Sequence, residues 1–183
     1  MAPSSDLQGD CARCQGLCCV SLAFDRSEWF AFDKPAGEPC RHLLASNRCR
    51  QHARLEAAGQ GGCASYDCYG AGQRVTQELL PGVSWRHAAE EGRALFGAFL
   101  RLRDVHELRL LLRQAAQLSL PQAAYAEGRR LLQQLEPARG FTPAGLAALD
   151  VEALRVEVHA YLRRLRPHVE PSRLPRRRLP LLL

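Results

Sequence analysis

The sequence predicts a mainly α-helical protein in two parts, an irregular cysteine-rich module followed by a small three-helix bundle. All eight cysteines lie within the first 68 of the 183 residues. In the second half, apolar residues recur at three- and four-residue steps, the spacing of amphipathic helices. The predicted organisation is a disordered lead over 1–10, a cysteine-rich module over 11–82, a helical bundle over 83–166, and a disordered tail over 167–183 rich in arginine, proline and leucine.

The cysteine spacing predicts metal ligands. Two thiolates separated by two residues, as at Cys11 and Cys14, can reach one ion because the backbone between them turns tightly. Neighbouring Cys18 and Cys19 are expected to point apart, which suits two adjacent ions, or one ion and a non-metal role, better than one chelating pair. Eight thiols are enough for two tetrahedral sites. The predicted thiolate ligands are Cys11, Cys14, Cys18, Cys19, Cys40, Cys49, Cys63 and Cys68.

His52 is a further candidate ligand. It follows Cys49 by three residues, which places both on one face of a short helix predicted from about Cys49 to Ala58. If His52 binds metal, either one cysteine is released or one site keeps an open position.

The cysteine spacing does not distinguish between two candidates for the metal. One is zinc, with two ions, and the other is iron, including an iron–sulfur cluster. The spacing matches neither of the common ferredoxin runs. Zinc predicts a structural or partner-binding module, whereas iron predicts electron transfer or sensing. Structural zinc contributes on the order of 10–16 kcal/mol of folding free energy, enough to replace the core that so small a module lacks.

Local patterns predict the remaining elements of the module. Alternation from Val20 to Phe24 predicts a short strand, and the apolar cluster Trp29–Phe32 predicts its packing base. The segment from Gly70 to Leu80 is predicted to be helical.

The second half predicts three longer helices. The first extends from about 85 to 118, the second from Pro121 to Pro137, and the last from its N-cap Asp150 to about Leu165. A short helical turn is predicted to begin at Thr142. Short connections between amphipathic helices make a bundle.

The charge distribution and the targeting signals limit the kinds of partner and the location that we expect. Residues 1–85 hold eight basic and nine acidic side chains, residues 86–162 hold ten and nine, and residues 163–183 hold seven and one. The basic excess therefore lies in the tail, and nucleic acid is not expected as a partner. The polar start predicts no secretory signal, and no stretch approaches the roughly 18 apolar residues of a membrane span. A cytoplasmic protein is expected, where clustered cysteines indicate metal or redox chemistry more often than disulfides.

The order of the cysteines, Cys11-x-x-Cys14-x-x-x-Cys18-Cys19 followed by four more, resembles bacterial cysteine-cluster proteins described as zinc- or iron-chelating domains. The sequences of the segments Gly16–Val20, Phe32–Cys40 and Tyr66–Gln77 are similar to the N-terminal part of actinobacterial pentapeptide-repeat proteins. That likeness extends to about residue 165. The run of Ala-(Asp/Asn)-Leu-x-x repeats is absent, so no residues here carry a role that depends on the repeats.

Three functions follow as expectations. The first is metal binding by the eight-cysteine cluster in a structural or regulatory role. The second is an iron–sulfur or thiol-based redox protein or enzyme, with Cys18 and Cys19 as the reactive pair. The third is an interaction module that binds a protein partner through its helical half, the metal only stabilising the N-terminus. The sequence shows no Ser/His/Asp set and no paired carboxylates that indicate another enzyme chemistry.

Overall fold

A computed structural model describes residues 5–136 and 140–169. Over these ranges the chain is mainly helical and contains no β-strand, which confirms the predicted fold class. The seven α-helices of the described residues are α1 (Leu17–Ser21), α2 (Gly61–Ser65), α3 (Ala71–Arg74), α4 (Ala89–Ala115), α5 (Gln122–Leu135), α6 (Pro143–Ala148) and α7 (Val151–Arg164). A π-helical turn, Val75–Leu79, continues α3 and completes the helical segment predicted there.

The chain divides into two compact units within α4. Among the described residues, the first unit comprises those of Met1–Glu107 and Arg139–Leu149, and the second those of Leu108–Ala138 and Asp150–Leu183. The predicted boundary at 82/83 lies inside the first unit.

Side chains hydrogen-bond across that predicted boundary. The indole N–H of Trp85 donates to the Gln15 carbonyl at 3.0 Å, and the Gln15 amide donates to the Val83 carbonyl at 2.7 Å. The Arg86 guanidinium donates to Asn47 Oδ1 at 3.0 Å. Residues 83–86 are therefore held on the cysteine module.

The core of the first unit combines the cysteine module with α4. Leu17 and Val20 of α1 are fully buried, as are Ala71 and Val75 near α3. The buried apolar residues that α4 and α6 contribute to the same unit are Leu95, Phe99, Leu102, Val105 and Leu146. The small module therefore shares an apolar core with a long helix.

Residues 5–10 are ordered, contrary to the predicted disordered lead. Ser5–Leu7 forms a 3-10 turn, and Leu7 is 2% exposed. The Gln73 side chain accepts a hydrogen bond from the Asp10 N–H and donates one to the Gln8 carbonyl. These contacts join residues more than 60 positions apart, so local sequence patterns carry no sign of them.

The predicted strand from Val20 to Phe24 is wrong. Its first residues lie in α1, where Leu17 and Val20 bury one face, and Phe24 forms only an isolated bridge with Lys34. The alternation of apolar residues matched both a strand and one turn of helix.

Two further local predictions need correction. The helix predicted from Cys49 is reduced to a 3-10 turn at His52–Arg54. The packing base forms around stacked Phe24 and Phe30, with ring centroids 4.2 Å apart, whereas Trp29 is 42% exposed.

The second unit is regular. It contains the end of α4 with α5 and α7, and its buried side chains include Leu108, Leu112, Leu131, Leu135, Leu154, Val158 and Tyr161. The predicted N-cap of α7 is confirmed, because the Asp150 carboxylate accepts the Ala153 N–H at 3.0 Å. Most of the predicted tail, residues 170–183, lies outside the described residues. None of the helices among the described residues combines the length and apolar content that a bilayer crossing requires.

Candidate metal centre

All eight predicted ligand cysteines lie in the first unit. None forms a disulfide, Cys11 is exposed, and the other seven are partly buried. The centre is therefore built from reduced thiols at the border of the unit's core.

Side-chain hydrogen bonds bring Cys11 and Cys14 beside Cys68. Besides the Gln73 contacts with residues 8–10, the Thr76 hydroxyl and the Gln77 amide both donate to the Arg13 carbonyl, at 2.9 and 3.0 Å. The segment that contains Cys11 and Cys14 is thus fixed to the helix that begins three residues after Cys68. We call Cys11, Cys14 and Cys68 the first thiol group.

Two glycines lie against sulfur atoms of the first thiol group. A Cβ at Gly72 would lie 2.6 Å from Cys14 Sγ, which is closer than van der Waals contact permits. A Cβ at Gly9 would lie 3.4 Å from Cys68 Sγ. An alanine at Gly72 would therefore require the Cys14 side chain to move.

Backbone hydrogen bonds order a second set of cysteines. The Cys40 N–H donates to the Cys19 carbonyl at 2.9 Å, and Leu43 and Cys49 form an isolated antiparallel bridge. Cys63 lies in α2, and beyond burial the charges of Cys19, Cys40 and Cys49 raise the pKa of its thiol. We call Cys40, Cys49 and Cys63 the second thiol group.

Helix α1 carries the remaining two thiols. The prediction that Cys18 and Cys19 point apart is wrong, because their sulfur atoms lie 4.0 Å from each other. The contact between the two thiols raises the pKa of Cys18 well above its ordinary value and lowers that of Cys19. Lys34 lowers the pKa of Cys19 further, against the effect of burial.

Burial makes thiolate charge costly elsewhere in the centre. Burial, with smaller contributions from neighbouring cysteines, raises the pKa of Cys14 and Cys63 to about 11 and also raises the pKa of Cys11, Cys40 and Cys49. A cation bound among the sulfurs would remove this penalty because it stabilises thiolates.

Lys34 is the single lysine among the 25 lysine and arginine residues of the chain, and it is 5% exposed. Its ammonium donates to the carbonyls of Val20, Leu22 and Pro35. Its charge acts on Cys19 and Cys40. Sequence reasoning missed this residue; the only available signal was a lysine in a chain that otherwise uses arginine.

Sequence reasoning also did not identify Tyr66 as a residue of the candidate metal centre. Its hydroxyl is buried and has no hydrogen-bond partner in the part of the chain that the structure describes. Burial raises the pKa of Tyr66, and the charges of Cys18 and Cys68 raise it further. A buried O–H beside sulfur can donate to a metal-bound thiolate, so this orphaned donor fits a metal site.

The structure places His52 beside a different cysteine from the one its spacing predicts. His52 Nε2 lies 3.9 Å from Cys11 Sγ in the first thiol group. The imidazole is therefore positioned as an additional nitrogen donor next to the exposed cysteine of that group.

In the described ranges no three His, Cys, Asp or Glu side chains converge closely enough to hold a metal ion. The sulfurs are gathered by the backbone without forming a closed coordination shell.

Comparisons with known proteins identify one curated relative. No protein-family model matches the chain, and no solved structure matches it. The protein named Uncharacterized protein YybG, from Bacillus subtilis (strain 168), is 36% identical over 157 residues, which cover 86% of this chain and 56% of YybG. The chain thus spans little more than half the length of this relative, whose name states no activity.

Proposed function

We propose that this protein binds metal through its eight cysteines and that the metal is structural or regulatory. The observation that carries the proposal is the presence of eight free thiols, on segments up to 57 positions apart between Cys11 and Cys68, in one compact unit where hydrogen bonds join several of those segments. Soft thiolates are ligands for zinc and for iron–sulfur clusters. The orphaned Tyr66 hydroxyl and the close approach at Gly72 fit the same role.

Binding would draw the sulfurs closer than they lie in this structure, since no described set of three ligands is closed. Rotation about the Cα–Cβ bonds of cysteines can supply that movement, because the segments that carry them are already adjacent. Metal binding requires the thiols to lose their protons, and the attraction between the cation and the thiolates offsets the cost of deprotonating buried cysteines whose pKa is raised.

Zinc is the metal that we favour. It needs no inorganic sulfide, and eight thiols supply two full tetrahedral shells. The resemblance to zinc- or iron-chelating cysteine-cluster proteins agrees with either metal and stays a prediction, as does a reducing, cytoplasmic location.

Metal and sulfide analysis of protein purified without oxygen tests the proposal. We expect about two zinc ions per chain and a colourless solution. Iron with equivalent sulfide and a brown colour would support an iron–sulfur protein instead. A metal-free protein that is fully folded would overturn metal binding.

A thiol-based redox role is the second candidate, favoured by the 4.0 Å separation of the Cys18 and Cys19 sulfurs. It requires at least one metal-free cysteine that reacts readily. Alkylation of the native protein, followed by mass spectrometry, separates the two candidates. Protection of all eight cysteines until a chelator is added supports metal binding, whereas rapid modification confined to Cys18 or Cys19 supports redox chemistry.

A further inference from the structure

The segment around Cys40 and Cys49 concentrates positive charge. Residues 39–55 contain no aspartate or glutamate, and their basic side chains are Arg41, His42, Arg48, Arg50, His52 and Arg54. Residues 1–85 as a whole hold nearly equal numbers of basic and acidic side chains, and half of the basic ones lie in this segment. The balanced total, from which no nucleic-acid partner is expected, therefore hides a local basic region.

A short antiparallel hairpin orders residues 40–50, and we call it the basic hairpin. The Leu44 N–H donates to the Arg48 carbonyl at 2.9 Å, and the Arg50 N–H donates to the His42 carbonyl at 2.8 Å. These hydrogen bonds lie on either side of the isolated bridge described above. The backbone of the hairpin is therefore held by its own hydrogen bonds.

The two sides of the basic hairpin have different surroundings. On one side Leu43 packs against the module, since a Cβ at Gly16 would lie 2.8 Å from Leu43 Cδ1. Side chains alternate between the two sides along each strand, so Arg48 and Arg50 lie on the other side, where both are exposed. Two residues of a strand span roughly 7 Å, which is close to the spacing of successive phosphates along a nucleic-acid strand.

Two further arginines are held over aromatic rings. The Arg41 guanidinium carbon lies 3.9 Å from the centre of the Phe32 ring, and that of Arg86 lies 4.0 Å from the centre of the Trp85 ring. Arg86 also donates to Asn47 Oδ1 at 3.0 Å, which attaches it to the turn of the hairpin. A guanidinium held in this way presents its N–H groups as a fixed fork, which matches the geometry of phosphate oxygens.

The arginines of the basic hairpin carry charge that no carboxylate offsets. Within residues 5–136 and 140–169, Arg41, Arg48 and Arg50 form no ion pair. By contrast, three exposed arginines of α4, α5 and α7 are each paired with a glutamate, namely Arg93 with Glu90, Arg130 with Glu157 and Arg164 with Glu127. The hairpin charge is therefore available to an external anion.

We propose that the basic hairpin, together with Arg86, binds the phosphate backbone of a nucleic acid. Several separate guanidinium groups on a polar surface suit a chain of phosphates better than one small anion. A protein partner would favour a buried apolar anchor. The exposed residues of the hairpin are instead Arg41, Ala45, Ser46, Arg48 and Arg50. The proposal adds a macromolecular partner to metal binding and does not depend on it.

Fluorescence anisotropy with the full-length protein, purified without oxygen, tests the proposal. The probes are a fluorescein-labelled DNA strand of mixed sequence, about 16 nucleotides long, and the same strand annealed to its complement. Binding of either probe supports the proposal, and the tighter one identifies the preferred form. We expect Arg41→Gln/Arg48→Gln/Arg50→Gln to weaken binding at least about tenfold near physiological salt. The slope of log affinity against log salt should fall by about 0.7 per arginine for the single strand and about 0.9 for the duplex.

The matched control removes the same charge elsewhere on the chain. Arg93→Gln/Arg130→Gln/Arg164→Gln neutralises the three exposed, ion-paired arginines, and the affinity should stay within about twofold, because salt screens distant charges. Equal weakening by the two triple variants would show that only net charge matters and would overturn the assignment. Full binding by the hairpin variant would place the nucleic acid on another basic segment, such as residues 163–183, and would also overturn it.

A charge-conserving variant tests the fork geometry. Arg41→Lys/Arg48→Lys/Arg50→Lys should bind several-fold more weakly with an unchanged salt slope, because lysine keeps the charge and loses the planar donors. Far-ultraviolet circular dichroism and metal content verify that each variant folds as the unsubstituted protein does. Displacement of the DNA by poly-glutamate at equal charge concentration would indicate an acidic protein partner and overturn the proposal. Failure of the unsubstituted protein to bind either probe would also overturn it, while leaving metal binding unaffected.

Discussion

The two units of this protein are stabilised in different ways. In the second unit, regular helices bury a stripe of leucines with Val158 and Tyr161, so its contacts follow from residues three and four positions apart. In the cysteine module of the first unit, short helical turns are tied together by side chains that reach backbone groups more than 60 residues away. The difference shows that the fold of the second unit depends on local periodicity. The fold of the cysteine module depends on long-range contacts and, as we propose, on metal.

Metal removal should break this comparison most strongly. We expect chelation to destabilise the first unit by on the order of 10 kcal/mol, because metal binding is coupled to folding there. Hydrogen exchange with mass spectrometry on the full chain should show rapid exchange from Cys11 to Leu79. The amides of α5 and α7 should stay protected, and unchanged protection around the cysteines would count against a structural metal.

A cavity in the second unit should produce the next largest effect. Leu131 in α5 is fully buried, so Leu131→Ala is expected to cost about 2–5 kcal/mol, measured by urea denaturation followed by circular dichroism. Val156→Ala in α7 is the control, because that side chain is 60% exposed and its change should be within about 0.5 kcal/mol. Metal content should not change in either variant.

Two helical glycines sharpen the comparison further. A Cβ at Gly128 would lie 2.6 Å from the Tyr161 hydroxyl, on a rigid and buried ring, so Gly128→Ala should destabilise the protein by about 1–3 kcal/mol. A Cβ at Gly97 would meet nothing within 4 Å, and Gly97→Ala should stabilise α4 by about 0.5–1 kcal/mol through helix propensity. Equal shifts in melting temperature for the two variants would show that the Tyr161 contact does not constrain α5.

The smallest predicted effect concerns helix caps. Asp150→Ala should cost about 1 kcal/mol and increase amide exchange in the first turn of α7, because Ala153 loses its acceptor. Thr142→Ala removes the corresponding bond to Gly145 and should affect α6 alone. Increased exchange in both helices from either variant would indicate that the caps are coupled.

The helical elements could be predicted because their information is local. The apolar spacing gave the positions of α4, α5 and α7, and Asp150 before Val151 indicated a helix start that the structure confirms. The cysteine module could not be predicted to the same depth. Val20, Leu22 and Phe24 alternate as in a strand, whereas the structure places Val20 in α1, where Leu17 and Val20 are both buried.

The candidate site shows the same limit. Cysteine spacing identified all eight thiols now found in one unit, and metal binding by them stays a prediction. Spacing paired His52 with Cys49, whereas the folded loop brings His52 to Cys11. Sequence patterns could not identify Lys34 and Tyr66 as part of the site, because their relation to the thiols arises only from tertiary contacts.

The buried Lys34 also gives the protein a built-in chemical reporter. With one lysine in the chain, acylation by an amine-directed reagent can modify a side-chain amine at a single position. Because that nitrogen is enclosed by three carbonyls, its modification requires the loop around residues 20–35 to open. The rate of mass gain at Lys34 thus measures, without any engineered label, how often this loop exposes its interior.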